Sequence, residues 1–260
     1  MAHNQTTHRS ATRPINTFAV RMFKRFALLV IGPVYFIFIA FVPLLCGRRQ
    51  GFRGWYWRFV KRACKRLLWL LSIRTVVSEA DKMTLAADAN SVIVINHRSH
   101  LDGFILMDTV PDEKWFTFAA KKELCDAPLL RTGFAGAGLI EIDRKSGKVA
   151  LDTLSDAVRA MSPRRSVVLF PEGTRTTTHT LGPFKAGAVL TARQTGRTIR
   201  PIVIHNSDLL LPRGRFNPRS GTVEVQVLAP FSCDLTASVD EDVERLRSAM
   251  MAAFDLGRLE

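Results

Sequence analysis

Four consecutive β-branched residues, Val92-Ile93-Val94-Ile95, constrain this chain more than any other stretch. A run this short, apolar throughout and bounded by polar residues, fits a strand covered on both faces, as in the sheets of α/β proteins. It leads directly into Asn96-His97-Arg98-Ser99-His100-Leu101-Asp102. Ser99, followed three residues later by Asp102, reads as a capping box that opens a helix. His97 then falls in the strand-to-helix turn, where open α/β sheets gather their ligands. Two readings stand side by side. Either His97 is a base oriented by Asp102, or Ser99 and Asp102 only cap a helix next to an ordinary loop histidine.

Further strands are expected at Thr75–Val77, Leu139–Ile142, Val167–Phe170, Ile202–Ile204 and Val223–Leu228, alternating with helical patterns. Most of these runs are continuous, but Val223-Glu224-Val225-Gln226-Val227 alternates and predicts a strand with one polar face. Ser238 and Glu241 form a second capping box, ahead of Val243, Leu246, Met250, Ala253 and Phe254 at helical spacing. The order predicts one α/β domain over residues 75–260, without internal repeats.

Charge divides the chain unevenly. Of its 37 Lys and Arg residues 14 precede Glu79, and no Asp or Glu occurs before that position. The remainder carries 23 basic and 23 acidic residues, so the net charge of +14 belongs to the leader. A balanced domain with no basic recognition helix argues against a nucleic-acid partner. Residues 1–20 are polar and expected to be disordered.

Residues 21–74 are expected to anchor the chain at a membrane. The uncharged run from Phe26 to Cys46, about 21 residues, is long enough to cross a hydrocarbon core of roughly 30 Å. Gly32-Pro33 and Pro43 interrupt it and basic residues flank both ends, so a full span and a re-entrant hairpin are both open. From Tyr56 to Leu71, Arg58, Lys61, Arg62, Lys65 and Arg66 share one helical face. Phe59, Val60, Ala63, Cys64, Leu67, Leu70 and Leu71 fill the other, with Trp55, Trp57 and Trp69 near the ends. Such a helix suits an anionic membrane surface. A surface helix of the globular domain is the alternative. The four cysteines are scattered, with no Cys-x-x-Cys pair, which fits a reducing compartment and indicates neither a disulfide framework nor a zinc site.

Three more segments carry chemistry. Phe170-Pro171-Glu172-Gly173-Thr174-Arg175 leaves a strand through a turn whose glycine permits close backbone approach, and whose Thr174 and Arg175 offer donors to an anion. Gly138-Leu139-Ile140-Glu141-Ile142-Asp143-Arg144 ends an apolar run in a cation, and Lys121-Lys122-Glu123-Leu124 precedes it. Ile199-Arg200-Pro201-Ile202-Val203 puts a proline in an apolar strand.

In this order and at these separations the segments resemble the glycerolipid acyltransferase family, whose best-known members are 1-acylglycerol-3-phosphate acyltransferases. The resemblance is carried by Asn96, His97, Ser99 and Asp102, then by Gly138, Ile142, Asp143 and Arg144, and by the unaltered Phe170–Arg175 block. Phe184-Lys185-Ala186-Gly187-Ala188 also looks like the segment after that block, and the resemblance covers residues 75 to 230. Glu141 and Arg200 stand where relatives usually carry apolar residues, in blocks expected to shape the head-group pocket.

The resemblance implies an α/β fold with a mixed sheet and flanking helices. It also implies transfer of an acyl chain from an acyl-CoA or acyl-ACP thioester to the free hydroxyl of a lysophospholipid, giving phosphatidic acid when the acceptor is lysophosphatidic acid. His97 would be the base and Asp102 would hold its tautomer. Arg144, Glu172, Gly173, Thr174 and Arg175 would form the phosphate site, Glu172 by orienting Arg175 or accepting from nearby backbone. Asn96, Ser99, Lys121 and Lys122 would support them, and His100 would be structural or solvent-facing. No metal and no bound cofactor is expected beyond the acyl carrier. A bilayer-resident acceptor and a water-soluble donor place the domain at a membrane, on its cytoplasmic side. Another lysolipid acceptor, such as lyso-ornithine lipid, and a non-catalytic basic membrane-binding protein are the competing readings.

Overall fold

The computed structural model describes residues 50–257 except 113, 123–130, 132–137, 163, 177–179 and 216, together with 22–24, 26–27 and 29–30. Strand β2 (Val92–Ile95) is the centre of the sheet, because both of its faces are apolar and both of its edges are paired. Val92 and Val94 join one apolar cluster while Ile93 and Ile95 join the other, as the period of two requires. Its neighbours β5 (Arg165–Leu169) and β6 (Ile199–His205) both run parallel to it. β3 (Trp115–Lys121) and β4 (Ile140–Ile142) continue the parallel set beyond β5. On the other side β7 (Gly221–Val227) lies antiparallel to β6, and β1 (Ile73–Val77) pairs parallel with β7. The order is β1-β7-β6-β2-β5-β3-β4, a mixed sheet as expected. Alternation in β7 buries Val223 and Val225 and leaves Glu224 exposed.

Helices cover both faces. Helix α1 (Gln50–Leu70), α2 (Glu79–Ala87) and α3 (Asp102–Thr109) pack on one side, with Leu68, Leu85 and Ile105 in the same cluster as Ile93. Helix α4 (Lys148–Arg159) and α5 (Gly187–Thr195) pack on the other. The short α6 (Ser207–Leu210) follows β6, and α7 (Val239–Leu256) closes the second side with Leu246, Met250 and Phe254. The capping box of α7 forms in full between Ser238 and Glu241.

Several expectations change. In α1 the apolar face is not turned to a membrane: Trp57, Cys64 and Leu68 are buried in the domain core beside α3. Lys61 leaves the basic face as well. It is buried, donating to Val110 O at 2.5 Å and to Asp112 Oδ1 at 2.6 Å, whereas Arg58, Arg62, Lys65 and Arg66 stay exposed. The apolar run 26–46 lies outside the described residues apart from 26–27 and 29–30. Among the described residues no helix is long and apolar enough to cross a membrane. Strand β3 was not foreseen, because Trp115-Phe116-Thr117-Phe118 neither alternates nor stays apolar.

Arg200 is a further correction. It sits near the start of β6, at the end of the parallel strands opposite His97, where Nε donates to Asp88 Oδ1 at 3.1 Å and Nη1 to Leu228 O at 3.1 Å. Lys114, buried just before β3, donates to both the carboxylate and the carbonyl of Asp88. Arg200 therefore serves a buried ion cluster at the end of the strands remote from His97.

Candidate active site

The site assembles at the carboxyl ends of the parallel strands, where the chain leaves β2 and β5 in neighbouring turns. Asn96 ends β2 with a side-chain rung. Its Nδ2 donates to Ile204 O at 2.9 Å and its Oδ1 accepts from Ile204 N at 2.8 Å, continuing the ladder to β6. His97 follows at once. Its Nδ1 lies 2.9 Å from Asp102 Oδ2, with the imidazole 22% exposed and the carboxylate 1%. Asp102 Oδ2 also accepts from the backbone N–H groups of Arg98 and Ser99, both at 2.8 Å. An ionised carboxylate with so many donors keeps Nδ1 as the N–H nitrogen and leaves Nε2 to accept a proton.

The expected capping box is half formed. Asp102 takes the N–H of Ser99, but Ser99 Oγ donates to Leu211 O at 2.9 Å and accepts from Leu101 N at 3.2 Å. Helix α3 begins at Asp102 with no side-chain cap, because the carboxylate serves the histidine loop. Ser99 and Asn96 are both buried, and their side chains bond to backbone groups.

The loop after β5 forms the second wall. Phe170 lies against the His97 ring with centroids 4.0 Å apart, and Gly173 takes φ +70° in the turn closed by its N–H to Phe170 O at 3.1 Å. Glu172 is buried and turned inward rather than toward a phosphate. Oε1 accepts from His97 N at 2.9 Å, and Oε2 accepts from Gly182 N at 2.9 Å and from the Thr176 hydroxyl. Of the two roles expected for it, acceptance from backbone is the one present. Thr176 N returns a bond to His97 O at 3.0 Å, so the loops are joined twice.

Thr174 is exposed and Arg175 half-buried. The Nη1 of Arg175 is shielded and lacks a hydrogen-bond partner among the described residues. A guanidinium nitrogen left in that condition is costly unless an anion meets it. His100 is exposed on the histidine loop, and burial of its ring, then the charges of Arg175 and His97, lower its pKa. Arg144 opens the 3-10 turn Arg144–Ser146 after β4, and its side chain lies outside the described residues. Lys121 and Lys122 are both exposed at the end of β3. Beside Phe170 and Gly173 opens a largely apolar cleft of about 510 Å³, lined by Ile142, Leu151, Leu154 and Leu190 among others.

Sequence reasoning missed the residues that brace this loop from behind. Arg98, buried, donates to Asp208 Oδ2 at 2.6 Å, and Ser207 Oγ donates to Asp102 Oδ1 at 2.6 Å. Both partners lie more than 100 positions downstream in α6, and only their place just after a strand end could have drawn attention to them.

Comparison with known proteins agrees with this arrangement. The family model described as Acyltransferase matches residues 76–205, half of the chain and every strand from β2 to β6. The chain belongs to the acyltransferase family. It is 36% identical over 167 residues to a 1-acyl-sn-glycerol-3-phosphate acyltransferase of Saccharomyces cerevisiae, covering 62% of this chain and 54% of the relative. It is 31% identical over 169 residues to the enzyme of that name from Limnanthes alba, covering 65% and 58%. The chain thus spans little more than half the length of these relatives. Among solved structures, the 1-acyl-sn-glycerophosphate (LPA) acyltransferase PlsC of Thermotoga maritima superimposes with a TM-score of 0.74, at 21% identity, over 92% of this chain and 97% of that one. At that identity the likeness concerns the fold.

Proposed function

We propose that the chain transfers a fatty acyl group from an acyl-CoA or acyl-ACP thioester to the free hydroxyl of 1-acylglycerol-3-phosphate, giving phosphatidic acid. The observation that carries the reading is the His97–Asp102 pair beside a shielded nitrogen of Arg175 that has no partner among the described residues. Nε2 of His97 takes the proton of the acceptor hydroxyl as its oxygen attacks the thioester carbonyl. The tetrahedral intermediate collapses, the C–S bond breaks, and the thiolate takes the proton back from His97. The thioester is already activated, so the protein supplies a base and needs no nucleophile of its own.

Arg175 would bind the acceptor's phosphate by a charge-assisted hydrogen bond, with Gly173, Thr174 and Arg144 at the same rim and Lys121 or Lys122 adding positive field. The apolar cleft next to Phe170 suits an acyl chain. No bound cofactor enters the scheme.

Membrane contact is supported by exposed apolar residues at the site's end of the sheet. β1 starts there, opposite the start of β7, and α1 ends there with Trp69 58% exposed. Lys24 donates to Trp69 O and Ser72 Oγ, both at 3.1 Å, and this brings the exposed Phe23 and Phe26 alongside. These exposed aromatic residues suit the interface of an anionic bilayer, on the cytoplasmic side where the thioester would be met. Arg58, Arg62, Lys65 and Arg66 are exposed along the rest of α1, Arg62 and Lys65 beside Asp112 at the far end of α3.

The test is acyl transfer from a labelled thioester to lysophosphatidate in detergent micelles, comparing native protein with folded His97→Ala. Turnover lost by roughly 10²–10⁴-fold is expected, and unchanged turnover rejects the mechanism. If only phosphate-free lysolipids, such as lyso-ornithine lipid, are acylated, the chemistry stands and the acceptor is different.

A further inference from the structure

We infer that Ser207 is a positioning residue of the His97–Asp102 pair, an inference that rests on the acyltransferase reading only for its kinetic consequence. Three donors converge on Asp102 Oδ2, from His97 Nδ1, Arg98 N and Ser99 N. Oδ1 has one among the described residues, the Ser207 hydroxyl at 2.6 Å, and both residues are fully buried. The serine is delivered by Asn206, whose left-handed backbone (φ 66°) turns the chain out of β6 into α6. The same stretch grips the histidine loop at three further points: Ile204 on Asn96, Asp208 on Arg98 and Leu211 on Ser99. Ser207 is therefore fixed relative to Asp102 and not a mobile hydroxyl that met it by chance.

The consequence follows from counting protons. The working state has an ionised Asp102 and a neutral His97 with its proton on Nδ1. Adding one proton gives either imidazolium with carboxylate or neutral imidazole with carboxylic acid. A buried carboxylate oxygen deprived of its donor destabilises every state with ionised Asp102 and spares the one with the neutral acid. Without Ser207 the states with ionised Asp102 lose ground to the neutral acid, which cannot hold the tautomer that leaves Nε2 free. Among the described residues the other charged and titratable groups facing the pair are Arg98 and His100 on its own loop, Glu172 and Arg175 from the loop after β5, and Asp208 from α6. None of them donates to Oδ1.

The experiment compares native protein with Ser207→Ala by the imidazole nitrogen resonances of His97 at neutral pH, assigned by their loss in His97→Ala, and by kinetics on the same samples. Native protein is expected to hold the Nδ1–H tautomer and Ser207→Ala to lose part of it. Turnover at neutral pH is expected to fall roughly tenfold with KM little changed. A folded Ser207→Ala protein with the native tautomer and the native kcat overturns the inference. Should alanine not fold, Ser207→Cys, which fills the space but donates weakly, must show the same loss, and a native tautomer in it overturns the inference equally. If native protein transfers no acyl group, the functional reading fails while the tautomer still decides on Ser207.

Discussion

The backbone N–H of His97 donates to Glu172 Oε1 at 2.9 Å, and this bond makes one unit of two loops that lie 75 positions apart in the chain. The other carboxylate oxygen holds Gly182 and Thr176, so Glu172 is a buried hub with its acceptor capacity used on protein donors. Glu172→Gln keeps the shape but turns one acceptor into a donor facing other donors. The expected cost is about 1–3 kcal/mol in urea denaturation, since a buried group is left unsatisfied. Turnover should fall with it, and the KM for acceptors with and without phosphate should change alike. A selective loss of phosphate-bearing acceptors would return Glu172 to the phosphate site.

Asp102→Asn removes the charge that keeps Nδ1 protonated. The expected result is a kcat reduced by about 10²–10⁴-fold with KM for the acceptor near native, measured with saturating thioester. A mild effect would mean that the backbone N–H groups of Arg98 and Ser99, which also bind this carboxylate, are its main purpose.

Arg175→Ala tests the anion site. Removing the shielded guanidinium nitrogen, which has no partner among the described residues, should raise KM for lysophosphatidate by roughly tenfold or more while leaving phosphate-free lysolipids nearly unaffected, since a charge-assisted bond is lost for one and not the other. Arg175→Lys should recover only part of this, as an ammonium lacks the planar fork.

At the far end of the sheet, Asp88 joins Lys114, Ser91 and Arg200. Burial alone would raise its pKa, but the hydrogen bonds from Lys114, Ser91 and Arg200 and the charge of Lys114 hold it below the ordinary carboxylate value. A carboxyl group depressed in the folded state contributes stability that is present above its unfolded pKa of about 3.9 and is lost as pH falls through the folded value. Asp88→Asn should therefore destabilise by about 3–5 kcal/mol at neutral pH, leaving the buried Lys114 and the half-buried Arg200 uncompensated. The gap between native and variant in thermal or urea melts should close below about pH 4. Turnover at a temperature where both are folded should be the same, because this cluster lies opposite His97.

How far the sequence could be read depended on the range of the interaction. β2, β5, β7 and α7 announce themselves by local patterns, and the His97–Asp102 pair lies within five positions on one loop. The mixed sheet came from resemblance to a family, which stands in for long-range information, whereas the joining of the histidine loop to the Phe170–Arg175 loop is seen only in the structure. The buried partners of Glu172, Arg200 and α1 could not be read from the sequence, for one reason. A charged or amphipathic residue reads as facing solvent, ligand or lipid unless its buried partner is known, and the partners here, His97 N, Asp88 and α3, are remote in sequence. Ser207 left no trace at all, since a serine after a strand is unremarkable until its distance to Asp102 is seen.

Asn96 has a further consequence. Strand ends are where a sheet frays first, and a base mounted just past such an end would be expected to lose its alignment well before the domain melts. By lending its amide as one more rung to β6, Asn96 moves the fraying point to the residue next to His97. On heating, loss of catalytic competence and loss of the sheet should then coincide in a single cooperative transition, and shortening the amide to alanine should split them, with activity failing at the lower temperature.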